Sequence, residues 1–149
     1  MKAELSGLAL VALLLAPPAL AQRSERFGPY ELHYNVVNTT FLAPGVASAY
    51  GITRGDRRAL LNLAVREHSG GDPEAPAVGR PMQLKGRSWD LLQREEQLDF
   101  REIREGQAVY YIAEFEFLNE EWRHFELHFR PEGAEQTYSF RFRHKMYEN

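Results

Sequence analysis

Apolar and polar residues alternate along most of the chain. Tyr30, Leu32, Tyr34 and Val36 are separated by Glu31, His33 and Asn35, a period of two that puts the apolar set on one face of a strand. The pattern returns at Ala59, Leu61, Leu63 and Val65, across Leu98 to Ile103, at Phe125, Leu127 and Phe129, and at Tyr138, Phe140 and Phe142. Ala108 to Leu118 is the longest apolar run, and its first half predicts burial on both faces. Met82 and Leu84 start a weaker strand that Gly86 interrupts, and Asp90 to Gln97 reads as a turn or a short helical segment.

Turn residues separate these segments. His68 to Pro76 is rich in glycine and proline, Glu105-Gly106 and Asn119-Glu120-Glu121 suit hairpin turns, and Pro131-Glu132-Gly133 ends a strand. About seven short strands punctuated in this way predict an all-β fold, an antiparallel β-sandwich of immunoglobulin-like type. A small β-barrel is the alternative. One connection is unusual. Phe41 to Ile52 breaks the alternation with Pro44-Gly45 and Val46-Ala47-Ser48-Ala49, which predicts a helical turn entered at Pro44. It exceeds the usual loop length of about 4 to 6 residues.

The N-terminus has a different character. A basic Lys2, an apolar run from Leu8 to Ala16 and the small-residue pattern Ala19-Leu20-Ala21 before Gln22 form a cleavable export signal. The apolar run is shorter than the roughly 20 residues a membrane span needs, and Pro17-Pro18 ends it. The expected organisation is a signal peptide over 1–21 and one β-sandwich domain over 22–149, working in the periplasm with no membrane anchor in the mature chain.

Composition narrows the chemistry. There is no cysteine, which excludes disulfides, zinc thiolates and thiol nucleophiles. The 18 Lys and Arg are interspersed with 21 Asp and Glu for a net charge of −3, and the order of residues shows no basic stripe for a nucleic acid backbone or for lipid. No nucleic acid partner is expected.

His124-Phe125-Glu126-Leu127-His128 puts two histidines on one strand face, but they lie about 13 Å apart and cannot share an ion directly. No metal and no cofactor is assigned. No Gly-x-Ser-x-Gly elbow, phosphate loop or His-Glu-x-x-His pattern occurs, and no residue is assigned as catalytic. A hydrolase-like enzyme would need a site assembled from scattered residues such as His33, His68 and Glu67. The stronger candidates are for binding. Asn35, Asn38, Thr39, Thr40, Phe41 and Tyr50 combine hydrogen-bonding groups with apolar area at a strand end and along the long connection, which suits recognition of a periplasmic protein or a small envelope ligand. The same side chains could instead satisfy nearby backbone and plug the end of the sandwich.

Residues His33 to Leu42, then Val46-Ala47 with Tyr50-Gly51-Ile52, then Phe100-Arg101-Glu102-Ile103 with Tyr110-Tyr111-Ile112-Ala113 resemble the domain-of-unknown-function 4426 family, small exported proteins of Gram-negative bacteria. The resemblance implies a single-domain periplasmic protein. It brings no activity, cofactor or catalytic residue with it.

Overall fold

The computed structural model describes residues 23–149. The leader expected over 1–21 lies outside the described residues. The alternation at Tyr30 becomes strand β2 (Tyr30–Asn38), and β1 (Arg23–Phe27) precedes it. Helix α1 (Pro44–Ala49) follows, with Pro44 in its first turn as the sequence suggested. The remaining strands are β3 (Arg58–His68), β4 (Ala77–Arg80), β5 (Met82–Trp89), β6 (Glu95–Gln97), β7 (Arg101–Glu105), β8 (Ala108–Glu116), β9 (Trp122–Pro131) and β10 (Tyr138–Lys145).

These strands form two antiparallel sheets. The first runs β1-β2-β3-β8-β7 with β4 also on β3, and the second runs β10-β9-β5-β6. Neither sheet closes on the other, so the architecture is a β-sandwich and the barrel alternative fails. Ten strands are present among the described residues rather than about seven. The additional ones, β1, β4 and β6, are short edge segments without a continuous buried face, so they show no apolar alternation.

The core lies between the sheets. Leu32, Leu61, Leu63 and Val65 from the first sheet meet Phe125, Leu127 and Phe129 from the second, all fully buried. Each such side chain contributes about 1.5 to 3 kcal/mol. Aromatic contacts close the layer, with Phe125 stacked on Phe142 at 4.8 Å and Tyr34 against Phe142 at 4.7 Å.

Gly86 corrects the sequence expectation. Strand β5 runs through it without interruption, opposite Leu127. The chain needs glycine there because Leu98 and Phe100 cross from the second sheet to the first directly over it. Asp90 to Gln97 resolves into a hairpin turn followed by β6, and regular pairing resumes only at Arg101 in β7.

A second, smaller cluster lies on the outer face of the first sheet. Leu42, Val46, Ala47 and Ile52, from α1 and its flanks, pack on Leu60 of β3 and Ile112 of β8. The long connection is therefore an ordered cover, and it explains why β8 is buried on both faces.

Candidate functional site

The turn after β2 is built around Thr39. Its side chain is fully buried, and Oγ1 lies 3.0 Å from the Arg58 carbonyl and 3.2 Å from that of Gly55 while accepting the Gly55 N–H at 3.0 Å. Next to it, Asn38 Nδ2 donates to the Tyr147 carbonyl at 2.7 Å. Thr40 accepts at its carbonyl from Arg54 and at Oγ1 from Asn149. These three residues use their polar groups internally. They pin the connection and the C-terminal segment to the end of the first sheet, and they present Phe41, 65% exposed, to solvent.

Two other candidates lie apart. Tyr50 is half-buried along β7: its hydroxyl donates to Glu105 at 2.6 Å and its carbonyl accepts from Arg101 at 2.7 Å. Burial first, and then the Glu105 carboxylate, raise its pKa above the ordinary phenol value. Asn35 sits in the middle of the outer face, paired in register with Asn62. Asn38, Thr39, Thr40 and Phe41 thus share one end of the sandwich, while Tyr50 and Asn35 do not join them.

That end gathers other apolar groups. Leu91 and Leu92 at the tip of the β5–β6 hairpin, Leu118 in the β8–β9 turn and Tyr147 after β10 are all at least half exposed. Among the described residues the one other exposed large hydrophobic is Val78, on β4 at the opposite end. The C-terminal segment ties the group together. Met146 N–H donates to the Glu121 carbonyl and Glu148 N–H to Asn119 Oδ1, both at 2.8 Å, while Asn38 holds Tyr147 from the other side.

A cleft of about 570 Å³ opens between these turns, with Arg57, Asp90, Arg94, Glu116, Leu118 and Arg123 in its wall. Its charges are mutually satisfied. Arg123 is buried and donates to Ser88 Oγ at 2.7 Å and to Glu96, whose own pKa burial raises. Burial also acts upward on Asp90, but hydrogen bonds from Arg94 and Leu92 prevail and hold it below the usual carboxylate range. The wall is thus lined by paired charges, with Phe117 and Leu118 its apolar members.

A second cluster concerns the enzyme alternative. His33 Nε2 and His68 Nε2 approach the same oxygen of Glu31 at 3.1 and 3.2 Å. The His33 contact lacks hydrogen-bond alignment and is an ion-pair distance only. Burial, more than any charge, lowers the His33 pKa. Glu67 does not join the pair, since it is bonded to Arg80 at 2.7 Å. Among the described residues no group of three or more His, Asp or Glu side chains is arranged to hold a metal ion.

The sequence reading missed Leu91, Leu92, Leu118 and Tyr147. Two adjacent leucines inside the otherwise polar stretch Asp90 to Gln97 were the available signal.

The family model DUF4426, a domain of unknown function, matches residues 24–149. The chain belongs to the DUF4426 family. A DUF4426 protein from Pseudomonas aeruginosa PAO1 has a crystal structure with 29% identity and a TM-score of 0.71, covering 86% of this chain and 96% of that one. FetP from uropathogenic Escherichia coli strain F11 matches with 10% identity and a TM-score of 0.62, over 87% of this chain and 95% of its own. The copper-reconstituted P19 protein from Campylobacter jejuni matches with 8% identity and a TM-score of 0.56, over 83% and 92%. At these identities FetP and P19 share the fold with this chain. Comparison with curated proteins gives no match.

Proposed function

We propose that this DUF4426 chain is a non-catalytic binding or accessory module of the periplasm that holds a protein partner at the end of the sandwich bearing Phe41. One observation carries the reading: Phe41, Leu91, Leu92, Leu118 and Tyr147 are exposed at one end of the sandwich, where Leu118 also lines a cleft of paired charges, whereas other large hydrophobics of the described residues are buried or half-buried, apart from Val78. Exposed apolar side chains gathered at one end of a domain, beside placed polar groups, suit a protein recognition surface. The leader-like N-terminus supports the periplasmic assignment, in keeping with the fold shared with FetP, which was recombinantly expressed in the periplasm of Escherichia coli.

A FetP variant and P19 have copper-bound structures. The residues of this chain give that role no comparable support. The two histidines that approach each other turn their Nε2 atoms onto a single Glu31 oxygen, and the described residues contain no metal-type group. A hydrolase-like site also lacks support, since Glu67 is engaged with Arg80 away from His33 and His68.

The test is photo-crosslinking from position 41 in intact cells, followed by identification of the adduct. A single reproducible protein adduct is expected, lost in a Leu91→Ala, Leu92→Ala variant whose melting temperature is unchanged. Absence of any adduct from folded, exported protein overturns the proposal. So does a large loss of stability on Phe41→Ala, which would make Phe41 a plug for the end of the sandwich.

A further inference from the structure

The outer face of the second sheet orders charges that look mixed in the sequence. Period two sends Tyr138, Phe140 and Phe142 inward and Ser139, Arg141, Arg143 and Lys145 outward on β10. Register then aligns rows across three strands. Arg87, Glu126 and Arg141 form one row, and Trp89, His124 and Arg143 form the next. Beyond these, Lys145 lies opposite Trp122, and Lys85 opposite His128. The absence of a basic stripe inferred from residue order is thereby corrected.

This face is cationic. Glu126 accepts from Arg87 at 3.0 Å, from His128 at 3.1 Å and from Arg141, and Arg87 also reaches Glu95 at 2.9 Å. Those contacts, with the bond from Arg87 foremost, bring the Glu126 pKa down to about 2, so its charge is fixed in the centre of the array. Lys85, Arg130, Arg143 and Lys145 take part in no ion pair among the described residues. Several cations are held down over aromatic rings: Arg143 is 4.5 Å and Lys145 5.9 Å from Trp122, and Arg87 is 4.6 Å from Trp89. Arg87 and Arg141 converge on Glu126, whereas Lys85, Arg130, Arg143 and Lys145 are spread over the sheet face, on strands about 4.8 Å apart and at same-face positions about 6.8 Å apart along each strand.

We infer that this face docks on an anionic phospholipid bilayer. A planar cation array is complementary to a plane of phosphate headgroups, and it does not gather enough donors at one spot to hold a single free phosphate. A second feature points the same way. Trp122 and Tyr147 stand at the edge of the array, where the exposed Leu91 and Leu92 also emerge, an arrangement of indole, phenol and aliphatic groups suited to the membrane interface. The charge explains how a chain of net charge −3 can approach such a surface, because binding depends on the face presented and not on the sum. The proposal shares Leu91, Leu92 and Tyr147 with the partner-binding reading, whereas Lys85, Arg130 and Arg143 belong to this face alone, so that changing them separates the two.

The test is co-sedimentation of the exported chain with phosphatidylglycerol-containing vesicles and with pure phosphatidylcholine vesicles, at low and high salt. Binding to the anionic vesicles alone, weakened by salt, is expected. Replacing Lys85→Gln, Arg130→Gln and Arg143→Gln together lowers partitioning by about 100-fold, at about fivefold for each cation lost. The single change Lys85→Gln, which touches no ion pair, gives about a fivefold loss without a folding concern. A variant with Arg23→Gln, Arg66→Gln and Arg104→Gln, all on the first sheet, has the same net charge and keeps its binding. Equal losses in both triple variants, or no binding to anionic vesicles, overturn the proposal. Binding of soluble polyglutamate in place of vesicles also overturns it, in favour of an acidic protein surface.

Discussion

Asn38 Nδ2 donates to the Tyr147 carbonyl at 2.7 Å, and this bond fastens the end of the first sheet to the segment leaving the second. The C-terminal residues then continue to Asn119 and Thr40. Replacing Asn38→Ala removes the donor and costs about 1 kcal/mol. The expected signature is local as well as global: faster hydrogen exchange at the Glu148 amide, with a melting temperature lower by about 2 to 8 °C. Unchanged exchange at Glu148 would mean that the segment is held by its other contacts.

Thr39 is the buried centre of the same turn. Thr39→Val keeps the shape and leaves the Gly55 N–H without its acceptor, so a loss of about 1 to 3 kcal/mol is expected in urea unfolding. Thr39→Ser retains the oxygen and should stay close to the parent. A loss in Thr39→Ser with little or none in Thr39→Val would assign the cost to packing of the methyl group instead.

The contrast between Thr39 and Phe41 shows how far residue order carries the site. Both stood out as part of a polar and apolar mixture, and Phe41 is indeed presented to solvent. Whether Thr39 Oγ1 faces backbone or solvent depends on where Gly55 and Arg58 return to it, and those residues are distant enough in sequence that local pattern is silent. The fold was more legible. Strands with one buried face, such as β2 and β9, announced themselves by period two, and Pro44 marked α1. Strand β1 did not, because Arg23 to Phe27 is an edge with little burial. The basic face was hidden for a different reason: its cations come from three strands, and each is followed in sequence by an inward-facing residue.

Gly86 offers a test of the crossing between sheets. A methyl group there would lie 2.9 Å from a Phe100 ring carbon and 3.0 Å from Leu127 Cδ2. Gly86→Ala is expected to destabilise by about 1 to 3 kcal/mol through overpacking. Combining it with Phe100→Leu should recover part of that loss, and a double variant no more stable than the single would show that Phe100 is not the obstacle.

The last prediction concerns acid. His33 and His144 are held below the ordinary histidine value, chiefly by burial, with Arg66 adding to the effect at His33 against the pull of Glu31 and Arg23 adding to it at His144. The unfolded chain therefore binds more protons than the folded one just below the ordinary value of about 6.5. Their contribution to stability is complete above that pH and declines as pH falls through the lower folded values. Glu126 acts in a later window, because its folded pKa of about 2 lies below its ordinary value of 4.5. Its contribution is present above 4.5 and disappears as pH falls toward 2. Urea midpoints should accordingly drop as pH falls below about 6.5, and again between about pH 4.5 and about pH 2. His33→Gln with His144→Gln should flatten the first drop and leave the second, while Glu126→Gln should leave the first and reduce the second only in part, because Glu31, Asp90 and Glu102 are also held below the ordinary carboxylate range. If the paired histidine variant keeps the full first drop, the protons responsible bind elsewhere.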